Sequence, residues 1–260
     1  MKTVILCGGF GTRIRDVADN IPKPMIPIGD KPIIWHIMKY YASWGHKDFV
    51  LCLGYKGQSI KDFFLNYEAS TSDFTLTLGN GSQIDYHNSH SEAEWRITLA
   101  ETGLNTLTGS RIKKVQKYLV DEKNFMLTYG DGVGSIDIER LIDFHLSHGK
   151  IMTVSGVRPP GRFGELEVGE SNAIKGFNEK PQASGGRISG GYFVCRQEIF
   201  KYLDEQGNQT LEREPMENLA HEGQMMMYKH DGFWQPMDTY RDYNLLNGLI
   251  QKGEAPWIRW

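Results

Sequence analysis

Thr3-Val4-Ile5-Leu6-Cys7-Gly8-Gly9-Phe10-Gly11-Thr12-Arg13 opens the chain with a short apolar run that passes at once into a glycine-rich turn and an arginine. Thr3 to Cys7 reads as a buried strand. A strand ending in Gly-Gly-x-Gly-Thr-Arg presents backbone N–H groups with no side chains between them and a ligand, and such concavities attract phosphate oxygens. Glycine is required where φ is positive or where backbone must touch the ligand. Arg13 adds a charged fork that suits phosphate better than a point charge does. Taken alone, the same residues equally describe a tight turn beside a surface arginine.

Two familiar nucleotide-binding patterns fail on this stretch. A dinucleotide fingerprint needs G-x-G-x-x-G or A, with an acid about 20 residues on at the end of the second strand. Counting from Gly9 puts Ile14 at the third glycine position, and the second strand ends at Leu53-Gly54 without an acid. The Walker pattern G-x-x-x-x-G-K-[ST] fails because Arg13 stands five positions after Gly8. The loop is therefore a phosphate cradle of another kind, and a dehydrogenase is excluded.

Outward from the loop, β-rich runs alternate with helical patterns, which predicts an α/β fold with a Rossmann-like, mainly parallel mixed sheet flanked by helices. Ile33, Ile34, Ile37, Met38 and Tyr41 recur at helical spacing, with Pro32 in the first turn and Gly45 as the stop. Asp48 to Leu53 reads as a second buried strand and Gly57 to Tyr67 as a second helix. Residues 73 to 100, including Trp95, Ile97 and Leu99, read as short strands of an antiparallel excursion. Ile112, Val115 and Leu119 mark a third helix. Asn124 to Tyr129 leads as a strand into Gly130-Asp131-Gly132, and Asp137 caps a helix that runs to about Ser147.

After Ile151 to Val157 the character changes. Turn-rich pieces separate strands at Glu165 to Val168, Ile174 to Asn178 and Ile188 to Cys195. Helical patterns follow near 197–204 and 212–222, then a strand at Gln224 to Lys229 and a terminal helix carrying Tyr243, Leu246, Leu249 and Ile250. With no repeat or linker, the expectation is one domain over 1–260, its core at 1–158 and a C-terminal elaboration at 159–260.

The 260 residues are 40% hydrophobic, 12% aromatic and 23% charged, the profile of a soluble globular protein. Twenty-nine basic residues against 32 acidic ones give a net charge of −3, so no global field favours nucleic acid or an anionic membrane. Phosphate recognition must then be local. No stretch reaches the roughly 18 apolar residues that span a bilayer, and the N-terminal apolar run is too short for a secretion signal. A cytoplasmic protein is expected. Cys7, Cys52 and Cys195 are widely spaced in apolar runs, which predicts buried reduced thiols.

Several side chains admit two readings. Asp131 between glycines is a functional carboxylate or a turn residue; Asp238 before Thr239 is a functional carboxylate or the cap of the terminal helix. Lys23-Pro24 is a functional pair or an ordinary exposed one, and Glu179-Lys180-Pro181 a functional stretch or a charge pair at a hairpin end. His145 and His148 lie three apart without a third ligand nearby, so they are expected on a solvated helix face. Met225-Met226-Met227 is expected as strand core. Trp234, Trp257 and Trp260 are expected in packing or an interface, and the apolar Pro256-Trp257-Ile258 hints at a subunit contact.

The opening G-G-x-G-T-R…K-P, matched by Gly8 to Arg13 and Lys23-Pro24, resembles the sugar-nucleotide pyrophosphorylase family. Further segments narrow the resemblance to its cytidylyltransferases acting on glucose 1-phosphate. These are Gly-Tyr-Lys-Gly at 54–57, Tyr-Gly-Asp-Gly-Val at 129–133, Pro-Pro-Gly-Arg-Phe-Gly at 159–164, Glu-Lys-Pro at 179–181, Gly-Gly-Tyr-Phe-Val at 190–194 and Gly-Phe-Trp-Gln-Pro-Met-Asp-Thr at 232–239, with the closing Lys-Gly-x-Ala-Pro-Trp. The resemblance implies CTP and glucose 1-phosphate as substrates, magnesium (Mg2+) as cofactor and a homohexamer. It implies that Leu6, Cys7, Gly8, Gly9, Phe10, Gly11, Thr12 and Arg13 hold the nucleotide together with Lys23, Thr106, Arg111 and Gly130. Asp131 and Asp238 would bind magnesium, and Glu179, Lys180 and Gly191 would face the sugar phosphate. Arg13, Lys23 and Asp131 would be the catalytic set.

The chain departs from that pattern at Cys7, where the family usually has Ala, at Asp30 and Ser110, where it has Gly, and at Ser189, where it has Asn. Ser189 offers one hydroxyl in place of an amide, which bears on hexose identity. Thymidylyl and uridylyl relatives usually carry a Pro-x-Gly-Leu-Ala or Gly-Thr-Ala-type segment where this chain has Thr108-Gly109-Ser110-Arg111, which favours cytidine. A sensor that merely binds sugar nucleotide would have no need of both Asp131 and Asp238.

Overall fold

The computed structural model describes the chain except residues 12–13, 15–19, 80–82, 89, 160–164, 169–173 and 179–185, and only the backbone of 165–168 and 176–178. Strand β1 (Thr3–Leu6) leads through the glycine loop and the short hairpin β2 (Pro27–Ile28) and β3 (Lys31–Pro32) into helix α1 (Ile33–Ala42). Then come β4 (Asp48–Leu53), α2 (Gly57–Leu65), α3 (Tyr67–Thr71), the hairpin β5 (Phe74–Thr77) and β6 (Gln83–Tyr86), and β7 (Arg96–Glu101). Helix α4 (Thr108–Lys114) precedes β8 (Asn124–Tyr129), β9 (Gly132–Gly134), α5 (Ile138–His148) and β10 (Met152–Val157). The remainder supplies β11 (Glu165–Val168), β12 (Ile174–Asn178), β13 (Ile188–Arg196), α6 (Glu214–His221), β14 (Met225–His230), β15 (Trp234–Pro236) and α7 (Tyr240–Gln251).

Seven of these strands form one sheet in the order β14-β10-β13-β8-β1-β4-β7. β1 runs parallel to β4 and β8, β4 to β7, and β10 to β14, while β13 is antiparallel to both β8 and β10. The expected mixed, mainly parallel sheet is present, and it takes strands from either side of residue 158. Successive strand residues face opposite sides, so each central strand feeds two cores. Ile5, Leu51 and Met126 pack with the apolar face of α1, Leu246 of α7 and Trp257. Val4, Val50, Cys52 and Leu127 pack with Ile112 of α4 and Leu219 of α6. Each such fully buried aliphatic side chain contributes about 1.5–3 kcal/mol.

Five local expectations are revised. Arg96–Glu101 is the parallel edge strand of the main sheet, paired with β4, and the antiparallel excursion is confined to β5 and β6. The second helix ends at Leu65, and Tyr67 begins a separate short helix. His145 is 1% exposed and does not lie on a solvated face: its Nδ1 and the Nε2 of His148 both bond the Thr153 hydroxyl, at 2.9 and 2.8 Å. Met226 and Met227 are exposed, because β14 is the outer strand of the sheet. Trp257 is wholly buried against Phe233 and His36, which bears out its packing reading and removes it from the subunit contact that Pro256-Trp257-Ile258 hinted at. The three cysteines are free and buried as expected. Among the described residues, no helix is long and apolar enough to cross a membrane.

Candidate active site

The chain runs from β1 outward to β4 and β7, then returns to β8 on the other flank of β1. At such a reversal the loops leaving the carboxyl ends of the two strands diverge, and a crevice opens between them. A pocket of about 470 Å³ lies there, lined by the glycine loop, by Gly130 and Asp131 after β8, and by the irregular segment after β7. Leu6, Cys7, Gly8, Gly9, Phe10, Gly11, Lys23, Thr106, Arg111, Gly130, Asp131 and Asp238 all line it, so the structure brings these expected residues together. Thr12, Arg13, Glu179 and Lys180 lie outside the described residues.

The loop needs its glycines for different reasons. A Cβ on Gly8 would stand 2.3 Å from the Arg111 guanidinium, and one on Gly130 would come within 3.0 Å of the Leu6 carbonyl. Gly9 has open space around it, as a backbone stretch facing a ligand should. Gly11 adopts φ +61° and leans on Lys23. Cys7 lies beneath the loop, and burial raises its thiol pKa well above the ordinary value, so it stays protonated.

Arg111 lies behind the loop. Its guanidinium donates to the carbonyls of Leu53 at 3.0 Å, Gly8 at 3.1 Å and Leu104 at 3.2 Å, and to the Thr102 hydroxyl at 2.6 Å. Burial pulls its pKa down from the ordinary arginine range. One side chain thus ties the ends of β1, β4 and β7 together. Thr106 donates its hydroxyl to the Thr102 carbonyl at 2.6 Å and receives Lys114 Nζ at 3.3 Å.

Lys23 opens a short 3-10 turn with Pro24 behind it. Its ammonium sits 2.7 Å from Asp131 Oδ2 and 2.6 Å from Asp238 Oδ1. Burial alone would lower the Lys23 pKa; the two carboxylates outweigh it and raise the value above that of an ordinary lysine. Asp238 arrives through two strands too short for any periodic signal. β15 pairs antiparallel with β9, Pro236 opposite Gly132, and Met237 N–H donates to the Asp131 carbonyl at 2.8 Å. The cap of α7 is Thr239, which forms a reciprocal pair with Asp242, so Asp238 is not needed for capping.

Tyr129 also lines the pocket, its hydroxyl bonded to Glu212. Burial, reinforced by Glu212, raises its phenol pKa far above the ordinary range. Gly191 does not line the pocket itself; it has φ +74°, and a Cβ there would stand 2.5 Å from the Tyr129 ring. Ser189 is exposed, and its hydroxyl accepts the Gly191 N–H at 3.4 Å. Ile14, Pro24, Leu104, Asn105, Leu107, Thr108 and Tyr129 also line the pocket, although none of them had been given a site role. Adjacency in sequence to Arg13, Lys23, Thr106 and Gly130 was the signal that could have found them.

Comparison with known proteins places this geometry. The nucleotidyl transferase family model matches residues 2–247. The glucose-1-phosphate cytidylyltransferases of Salmonella typhi and Salmonella typhimurium are each 46% identical over 260 residues, covering all of both chains. The crystal structure of HddC from Yersinia pseudotuberculosis superposes with a TM-score of 0.68 at 21% identity, covering 96% of this chain and 99% of that one. That structure shares the fold. Since the family model spans almost every element that builds the pocket, and the similarity to the Salmonella enzymes runs the full length, the chain belongs to the nucleotidyl transferase family.

Proposed function

We propose that the protein transfers the cytidylyl group of CTP to glucose 1-phosphate, giving CDP-glucose and pyrophosphate. The observation that carries this reading is the convergence of Lys23, Asp131 and Asp238 at the pocket whose floor is the glycine loop. The choice of cytidine and glucose rests on full-length identity to the Salmonella enzymes.

A phosphate oxygen of glucose 1-phosphate attacks the α-phosphorus of CTP; the new P–O bond forms as the bond to the β-phosphate oxygen breaks, and the electron pair leaves with pyrophosphate. The nucleophile is already anionic and the leaving group already good, so no general base is needed. Repulsion between two polyanions and misalignment of the attack oppose the reaction, so catalysis rests on positioning and charge neutralisation. The N–H groups of the loop at Gly8, Gly9 and Gly11 donate to phosphate oxygens. Lys23 and Arg13 supply fixed positive charge. Glu179, Lys180 and Gly191 serve the sugar phosphate.

Enzymes of this family generally work with a divalent metal. Asp131 and Asp238 fit one: two carboxylate oxygens from separate segments converge on a single cationic group, and magnesium favours one or two carboxylates completed by phosphate oxygens and water. Bound there, the ion would neutralise charge on the nucleotide phosphates. Keeping both carboxylates supports an enzyme over a sensor that only binds sugar nucleotide.

A homohexamer and a cytoplasmic location belong to the same proposal. Self-association is supported by the hairpin β5–β6, whose Phe74, Leu76, Ile84 and Tyr86 are all exposed. A reduced compartment suits three free thiols.

The test is pyrophosphate release over a grid of nucleoside triphosphates and sugar 1-phosphates. CTP with glucose 1-phosphate should turn over fastest; no turnover with CTP would overturn the assignment.

A further inference from the structure

Residues 102–107 adopt no regular secondary structure, yet Leu104, Asn105, Thr106, Leu107 and the adjoining Thr108 form one wall of the pocket. A wall without ladder hydrogen bonds keeps its shape only if something else holds its backbone groups. The segment 204–212, far along the chain and outside the pocket lining, does this. Asn208 Oδ1 accepts the Leu107 N–H at 2.7 Å, and its Nδ2 donates to the Asn105 carbonyl at 3.1 Å. The Ser110 hydroxyl donates to the Asp204 carbonyl at 2.6 Å and accepts the Gln209 N–H at 2.7 Å. Thr108 Oγ1 donates to Glu212 Oε2 at 2.6 Å and accepts the Leu211 N–H at 2.9 Å. The other Glu212 oxygen accepts the hydroxyl of Tyr129, which also lines the pocket.

The fit is close and directional. A Cβ on Gly109 would lie 2.9 Å from the Gln209 carbonyl. Leu211 is fully buried, which anchors the segment in the second core. Asn208 holds φ +44°, a conformation that side-chain-bearing residues rarely take and that asparagine tolerates better than most. In that conformation its amide bonds two backbone groups of the wall at once. Leu107, the N-cap of helix α4, has no capping side chain; segment 204–212 serves this helix start instead, Asn208 accepting the Leu107 N–H and the Gln209 carbonyl accepting the first-turn N–H of Ser110 at 3.1 Å.

We infer that Asn208 is a positioning residue for the nucleotide: together with Glu212 it fixes the 104–108 wall, so that segment 204–212 sets nucleotide affinity without touching the ligand. This rests on the reading of the pocket as the nucleotide site. Ser110 belongs to the same brace through its two hydroxyl bonds.

The test uses the full chain with Asn208→Gly, which keeps the left-handed backbone and deletes both side-chain bonds, and Asn208→Asp, which keeps the acceptor for Leu107. Steady-state constants for CTP and glucose 1-phosphate, calorimetric binding of CTP, UTP, GTP and ATP, and melting temperatures are measured. Asn208→Gly should raise the CTP KM and Kd about tenfold and leave kcat and the glucose 1-phosphate KM within about twofold, while Asn208→Asp recovers most of the loss. If the wild-type protein prefers another triphosphate, the cytidine reading fails and the positioning inference is decided on that nucleotide instead. A folded Asn208→Gly protein with wild-type nucleotide affinity would overturn the inference, as would equal rises in KM for both substrates. A lowered melting temperature with unchanged nucleotide KM would mark a purely structural role and overturn it too.

Discussion

The backbone N–H of Met237 donates to the carbonyl of Asp131 at 2.8 Å, which fastens the segment bearing Asp238 to the turn bearing Asp131. Two carboxylates far apart in sequence thereby meet at one point, 2.7 and 2.6 Å from Lys23 Nζ. Their placement is set by backbone pairing between β9 and β15, so neutralising either side chain should leave the fold alone. Asp131→Asn and Asp238→Asn should each lower magnesium-dependent turnover by about a hundredfold or more. Their melting temperatures should stay within about 4 °C of the parent. Chelation of the wild-type protein should abolish turnover, with recovery on adding magnesium. Parent-like activity in Asp131→Asn would remove the metal assignment.

The glycines of the loop can be separated by experiment. Alanine at Gly8 puts a methyl group 2.3 Å from the Arg111 guanidinium, which bonds four acceptors around the pocket and has little room to retreat. Gly8→Ala should cost about 2–3 kcal/mol in urea unfolding.

Gly9→Ala meets nothing within 4 Å, so its stability should stay within about 0.5 kcal/mol of the parent. If the Gly9 backbone faces the phosphates, the same variant should weaken nucleotide binding about tenfold. Unchanged affinity, read by calorimetry, would take Gly9 out of the cradle.

The strands and helices that build this site were legible because each is long enough to leave a local signal, an apolar run, a helical spacing or a cap. β1, β4 and β8 read as apolar runs, α1 shows its face at helical spacing, and α5 was marked by its Asp137 cap. What escaped had no period to show. β9 and β15 are three residues each, so the contact that makes Asp238 a partner of Asp131 is a fact of tertiary pairing. Met226 and Met227 are as apolar as core residues, and only the position of β14 at the sheet edge exposes them. Arg111 was read as a nucleotide contact from the family resemblance alone; its carbonyl partners come from three separate segments and could not be read along the chain.

His36 gives the fold an acid weakness. Its Nε2 donates to the Ile28 carbonyl at 2.9 Å, which leaves Nδ1 to accept the indole N–H of Trp257 at 3.4 Å. That pairing needs neutral imidazole, and burial pulls its pKa from 6.5 to about 4. The unfolded chain therefore binds a proton that the folded chain refuses, so stability is full above about pH 6.5 and falls as pH drops toward 4. The slope from this group should reach about 1.4 kcal/mol per pH unit. His36→Gln, which cannot take up that proton, should flatten the decline measured by urea unfolding at pH 7 and pH 5. An unchanged slope would assign the acid sensitivity elsewhere.

The hairpin of β5 and β6 makes the strongest case for self-association. Its register sets Phe74 opposite Tyr86 and Leu76 opposite Ile84, while Thr75, Thr77, Gln83 and Asp85 take the other face. All four apolar residues are exposed, and an isolated two-stranded sheet is marginal in water without a packed face. Leu76→Glu combined with Ile84→Lys keeps a favourable cross-strand pair, so the hairpin survives while its apolar face becomes charged. Light scattering should then report a mass below that of the wild-type assembly, proposed to be a hexamer, with the circular dichroism spectrum unchanged. A wild-type mass in the double variant would mean that the apolar face plays no part in assembly, and the contacts would have to be sought on another exposed edge, of which β14 with Met226 and Met227 is the next.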